Sequence, residues 1–116
     1  MQVMGEGKFS RVVECYDRNE SKTVAVKIIR SVQRYSESAE IEAEILRAVR
    51  ERESDPRRSL IVGFGGIFEH EHHKCLVFEF LGTSVFDFLS KNHFIPFSIQ
   101  VIRSISYQLI RSVACE

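Results

Sequence analysis

Charge of neither sign predominates in this 116-residue sequence: 16 Lys and Arg stand against 16 Asp and Glu, a formal net charge of zero. A balanced chain offers no polyelectrolyte face, so nucleic acid is not a leading partner. Long apolar runs are missing as well. No stretch approaches membrane-spanning length, and the opening MQVMGEGKF lacks the apolar core of a signal peptide. Cysteine is scarce and odd in number. Cys15, Cys75 and Cys115 lie far apart with no CxxC, which argues against a disulfide framework or a zinc site and fits a reduced intracellular compartment. There is no internal repeat and no low-complexity tract. What remains is 44% hydrophobic and 28% charged residues, the proportions of an ordinary globular domain.

The pattern along the chain runs strands, helix, strands, helix, helix. Arg11 to Asp17 and the β-branched TVAVKII (Thr23 to Ile29) read as two strands around the polar turn NESK. Ser36 to Arg52 turns helical, and ESDPRRS (Glu53 to Ser59) is a loop broken at Pro56. Leu60 to Glu69 and Lys74 to Phe80 read as two more strands around HEHH. Ser84 with Asp87 resembles a capping box, so VFDFLSK is predicted to be a short helix. After Pro96, Ile99 to Val113 forms a longer amphipathic helix with Ile102, Ile105, Leu109, Ile110 and Val113 on one face. A mostly antiparallel sheet followed by helices is α+β in outline.

Three features point to a site. In GEGKFSRVVEC (Gly5 to Cys15) two glycines flank one residue between apolar runs. A backbone that bare can wrap a phosphate chain with its N–H groups, although a plain β-turn needs the same glycines. In VAVKII, alternation sets Val24, Val26 and Ile28 on one face and Ala25, Lys27 and Ile29 on the other. One lysine thus interrupts an apolar strand, either as a snorkelling edge residue or as a buried cation in need of a partner. On a projection of about 100° per residue, Ala48, Ile41, Ile45, Val49 and Leu46 form the apolar arc of the helix, and Glu42 falls inside it. Glu37, Glu40 and Glu44 fall on a solvated face. An inward carboxylate is costly unless it meets a cation, and Lys27 is the cation at hand. The alternative is a shifted helix that leaves Glu42 exposed.

In this order and spacing the residues resemble the small lobe of a eukaryotic protein kinase. Gly5-Glu6-Gly7-Lys8-Phe9-Ser10-Arg11-Val12 follows the pattern G-x-G-x-x-G-x-V, and Val24-Ala25-Val26-Lys27 follows V-A-I-K. Glu42 stands where the helix glutamate pairs with that lysine. CLVFEFLG (Cys75 to Gly82) resembles the last small-lobe strand running into the hinge. Within the family, GEGKFSRVVECYDR, VAVKIIRSVQRY and VFEFLGTSVFDFL resemble the LAMMER, or cdc2-like, dual-specificity kinases.

The resemblance implies a five-stranded antiparallel sheet with one helix and the hinge over residues 1–81, and the first helices of a truncated large lobe over residues 82–116. It implies ATP as ligand, with Met4 and Val12 covering the adenine and Ala25 opposite. Gly5, Glu6, Gly7, Lys8, Phe9 and Ser10 would lie over the phosphates, Arg11 would belong to the same nucleotide-binding segment, and Lys27, oriented by Glu42, would hold the phosphates. Phe78 would stand beside the ring, with the Glu79 carbonyl and the Leu81 N–H on its edge. It implies phosphoryl transfer to Ser, Thr and Tyr of proteins, Arg/Ser-rich splicing factors among them, in the nucleus or cytoplasm with the nucleus favoured.

The sequence also departs from the pattern. Ser10 replaces the third glycine of the loop, three glycines (GFGG, Gly63 to Gly66) fall where the fourth strand is expected, and only Met1 to Met4 remain for the first. H-x-D-x-K-x-x-N and D-F-G, which supply the base and the Mg²⁺ ligands, do not occur. The second reading is therefore an inactive fragment that binds nucleotide or serves only in protein interaction. His70, His72 and His73 are read as an exposed turn rather than metal ligands, since a closed site needs a fourth ligand. RERESDPRR (Arg50 to Arg58) is read as a solvated helix end, and Phe86, Phe88, Phe94 and Phe97 as core around the short helix.

Overall fold

The computed structural model describes residues 2–53 and 59–114. The predicted loop at Pro56, the end of the Arg50 to Arg58 stretch, Met1 and Cys115 lie outside the described residues. The elements are β1 (Gln2–Glu6), β2 (Ser10–Asp17), β3 (Lys22–Ile29), α1 (Gln33–Arg52), β4 (Phe64–His70), β5 (His73–Glu79), α2 (Val85–Lys91) and α3 (Ile99–Ala114). The five strands make one sheet in the order β1-β2-β3-β5-β4, antiparallel throughout. Its central strands, β2, β3 and β5, carry the β-branched and apolar runs.

Two apolar clusters grip the sheet. Ile29, Phe64 and Leu76 pack with Ala39 and Ala43 of α1 on one face, and Val13, Val24, Val26 and Cys75 pack on the other. Alanines let the helix approach a face already filled by Phe64 and the fully buried Leu76. This corrects the predicted apolar arc. Ile41 and Ile45 are 59% and 56% exposed and Ala48 is exposed, while Ala39, Ala43 and Leu46 face the sheet. At the closest approach to Phe64 and Leu76 the helix presents Ala39 and Ala43, and the bulkier Ile41 and Ile45 turn to solvent. Glu40 is also not merely solvated, since its carboxylate meets Lys74 Nζ of β5 at 2.9 Å.

The helix starts at Gln33 rather than Ser36, because the Tyr35 and Ser36 N–H groups donate to the Val32 carbonyl. Val32 offers no side-chain cap, so the start carries no sequence signature. At the other end Arg50 donates to the Phe64 carbonyl and ties α1 to β4. β1 is a full strand paired with β2 rather than a remnant, and it includes the first glycine of the loop. β4 begins at Phe64, not Leu60. Its register shifts between Phe64 and Gly66, and Gly66 sits at φ +128°, a conformation closed to other residues. The glycines therefore build a bulge within a strand that does form. The turn to β5 is two residues long, with Glu71 and His72 both at positive φ.

α2 is capped as expected, with Ser84 Oγ accepting from the Asp87 N–H at 3.0 Å. Neither α2 nor α3 buries a residue. Phe86 pairs with Phe94 and Phe88 with Phe97, but Phe86, Phe88 and Phe94 remain exposed. Contrary to expectation they are not core, because no further layer lies over them among the described residues. The Cα radius of gyration, 16.1 Å, exceeds the roughly 13 Å of a compact domain near this size, in keeping with helices that stand off the sheet.

Candidate nucleotide-binding site

Lys27 lies in the middle of β3, opposite Val12 of β2 on one side and Leu76 of β5 on the other. It is therefore a central-strand lysine and not a snorkelling edge residue. Its side chain shares a face with Ile29 and meets α1. There Nζ donates to both carboxylate oxygens of Glu42, at 3.1 and 3.2 Å. The two side chains are half-buried, 30% and 38% exposed. A cation held by two oxygens is fixed in direction as well as charge, yet each side chain keeps an open flank for a further ligand. Glu42 is not left exposed by a shifted helix: even with the arc redrawn, it stays on the flank beside Ala39 and Ala43.

The glycine loop joins β1 to β2 above this pair. Glu6 and Arg11 close its base through a 2.9 Å ion pair, and the Gly7 N–H donates to the Ser10 carbonyl at 2.9 Å. A Cβ placed on Gly5 would meet nothing within 4 Å, and one on Gly7 only the Ser10 carbonyl at 3.9 Å. Neither glycine has a positive φ. The protein's own packing thus does not require glycine here. The open space on the loop suits a ligand that approaches the backbone closely, as a phosphate chain does. Phe9, Ser10, Lys27, Tyr35 and Glu42 line one cavity of about 420 Å³ between loop, β3 and α1.

The residues expected beside an adenine lie toward the end of β5, with Ala25 and Phe78 on the sheet face that carries Lys27. Ala25 is buried and stands opposite Phe78, which packs on Phe64 with ring centroids 5.6 Å apart. Val12 is partly buried and Met4 is exposed at the irregular step of β1 between Val3 and Gly5. Glu79 ends β5, and both its carboxylate and its N–H bond the Gly63 backbone. Leu81 is exposed just beyond. These residues do not line the cavity that Lys27 and Glu42 share; Phe78 and Glu79 line a separate one of about 430 Å³. Lys8 and Arg11 are on the loop and its base, with Lys8 turned over the Phe9 ring.

Residue-level reasoning missed Tyr35, which walls the Lys27 cavity, and Lys74, whose pKa is raised by its hydrogen bond and attraction to Glu40 and further by Glu69. Tyr35 was visible in principle. It precedes Glu42 by seven residues, about two turns, and so shares its face. Among the described residues no group of three or more metal-ligating side chains gathers. His73 Nδ1 instead lies 2.9 Å from the Ile29 carbonyl.

Residues 1–115 match the family model for the protein kinase domain. The chain is 43% identical over 111 residues to serine/threonine-protein kinase AFC3 of Arabidopsis thaliana, covering 96% of the chain and 27% of that protein. It is 39% identical over 114 residues to dual specificity protein kinase CLK2 of Mus musculus, covering 97% of the chain and 23% of that protein. The chain thus spans about a quarter of the length of the curated relatives it matches. A solved kinase domain, PF14_0431, superposes with a TM-score of 0.88 at 32% identity, over 99% of the chain and 33% of that structure.

Proposed function

The chain belongs to the protein kinase family, and from that premise we propose that it forms the ATP-binding part of a kinase acting on Ser and Thr, and on Tyr as a further acceptor. Protein kinases use ATP and Mg²⁺ and act on proteins. ATP, when bound, supplies the phosphoryl group that is transferred. The residues of this chain hold and orient. Lys27 presents an ammonium to the α- and β-phosphates, and Glu42 keeps it from folding away. The backbone of Gly5 to Ser10 covers the phosphates and excludes water. Ala25 leaves room for a flat ring beside Phe78, and the backbone of Glu79 and Leu81 meets its edge. The two-oxygen contact between Lys27 and Glu42 carries this reading.

Similarity to serine/threonine-protein kinase AFC3 and dual specificity protein kinase CLK2 supports a LAMMER-type parent protein. Arg/Ser-rich splicing factors as substrates and a nuclear location are proposed from the resemblance of the sequence motifs alone. A second reading concerns the 116 residues by themselves. They hold neither H-x-D-x-K-x-x-N nor D-F-G, and α3 buries none of its apolar face, so on their own they bind nucleotide or a partner without transferring phosphate.

Titration calorimetry with ATP separates a formed site from a remnant. Lys27→Met is expected to weaken binding by at least about tenfold, the worth of a hydrogen bond to a charged group. Equal affinities for wild type and variant would remove Lys27 from the phosphate site.

A further inference from the structure

Phe9 comes from the glycine loop and Tyr35 from the first turn of α1. Their rings meet edge to face, with centroids 4.9 Å apart and planes at 80°. Each ring also meets a cation. Lys8 Nζ lies 5.8 Å from the Phe9 centroid, and the Arg34 guanidinium lies 4.9 Å from that of Tyr35. Arg34 further donates to the Tyr35 hydroxyl at 3.0 Å. The order Lys8, Phe9, Tyr35, Arg34 is thus a continuous cation–aromatic chain from loop to helix.

Two contacts to α1 wall the same cavity of about 420 Å³: the aromatic one from the loop at Tyr35 and the ionic one from β3 at Glu42. Both helix residues lie on one face, about two turns apart. The first turn of α1 has no side-chain cap at Val32 to hold it. The loop, in contrast, is tied to the end of β3, since the Arg30 N–H donates to the Phe9 carbonyl at 3.0 Å and the Arg30 guanidinium to the Lys8 carbonyl at 3.1 Å. Anything that lifts the loop therefore pulls on α1 through Phe9.

We propose that Tyr35 is a positioning residue: it clasps the glycine loop to α1 through Phe9, so that closure of the loop and retention of Glu42 against Lys27 are one coupled event. The inference rests on the nucleotide-binding reading, which makes this loop the phosphate cover. No contact between Tyr35 and the nucleotide is needed. Its effect travels through the helix to Glu42 and through Glu42 to Lys27.

Amide hydrogen exchange on the ligand-free chain, with an ATP titration beside it, tests the clasp. Phe9→Ala is expected to speed exchange in the first two turns of α1 while leaving β3 and β5 unchanged. Phe9 is a half-exposed loop residue, so the core survives its loss. Phe9→Ala and Tyr35→Ala should each lower ATP affinity about three- to tenfold, the range of an aromatic pair. The double variant should lose no more than either single one, and Tyr35→Phe, which keeps the ring, should retain both protection and affinity. Unaltered α1 exchange in Phe9→Ala, or losses that add in the double variant, would overturn the clasp. The two readings fail separately. If Lys27→Met binds ATP as wild type does, the nucleotide site is wrong, while exchange in the ligand-free chain still decides the clasp.

Discussion

Two lysines bind the sheet to α1, Lys27 through Glu42 and Lys74 through Glu40. Their surroundings differ. Lys74 reaches the half-exposed Glu40 carboxylate at the flank of α1, where solvent and salt screen the pair and its net worth is small. Its pKa is raised, so whatever stability the pair gives is complete below the ordinary lysine range and is lost only as pH rises through the folded value. Near neutral pH it is constant. Lys27 has open flanks toward a cavity, which is where a charged ligand can use it. Cys75 shows the opposite effect of surroundings: burial, with a smaller repulsion from Cys15, pushes its thiol above the ordinary value. The thiolate is the nucleophile, so at pH 7.5 iodoacetamide should label the partly exposed Cys15 well ahead of Cys75. Peptide mapping by mass spectrometry checks this, and denaturant should abolish the difference. The sign for stability follows: above the ordinary thiol range the unfolded chain ionises first, and the fold loses stability as pH rises.

At the scale of elements, β4 depends on Gly66. At φ +128° any side chain is strained, at a cost of about 1–3 kcal/mol. Space is not the obstacle, for a Cβ there would meet nothing within 4 Å. Gly66→Ala should therefore lower the urea midpoint by that backbone cost alone, without a change in slope. Much of this architecture was legible in the sequence. β2, β3, α2 and α3 fall within a residue or so of their predicted bounds, because alternation, turn residues and the Ser84 cap all agree. The Lys27–Glu42 pair was legible too, since a polar residue inside an apolar pattern must be matched by another. Three things were not. The start of α1 lacks a capping residue, its buried face is lined by alanines that carry little hydrophobic signal, and the β4 bulge depends on a backbone angle that the letters GFGG do not specify. The Phe9–Tyr35 contact joins segments distant in sequence, and no periodicity reports such a pair.

At the scale of the molecule, the sheet shares one apolar cluster with α1 and holds a second among its own strands, while α3 keeps Ile102, Leu109, Ile110 and Val113 exposed. An apolar stripe of that length is an association surface in water. The chain is expected to self-associate with rising concentration, and Leu109→Glu with Val113→Glu should return it to monomer in sedimentation velocity, with the sheet intact by circular dichroism. An unchanged distribution would place the contact elsewhere. The sheet itself is a poor competitor for that role. Its outermost strands, β1 and β4, both break register, one between Val3 and Gly5 and the other between Phe64 and Gly66. A flat rim would present an unbroken row of free amides on which a stranger's strand could template itself. With each rim kinked, growth by strand addition is blunted on both sides, and the fold is guarded against fibril formation by the same glycines that look like flaws in β4.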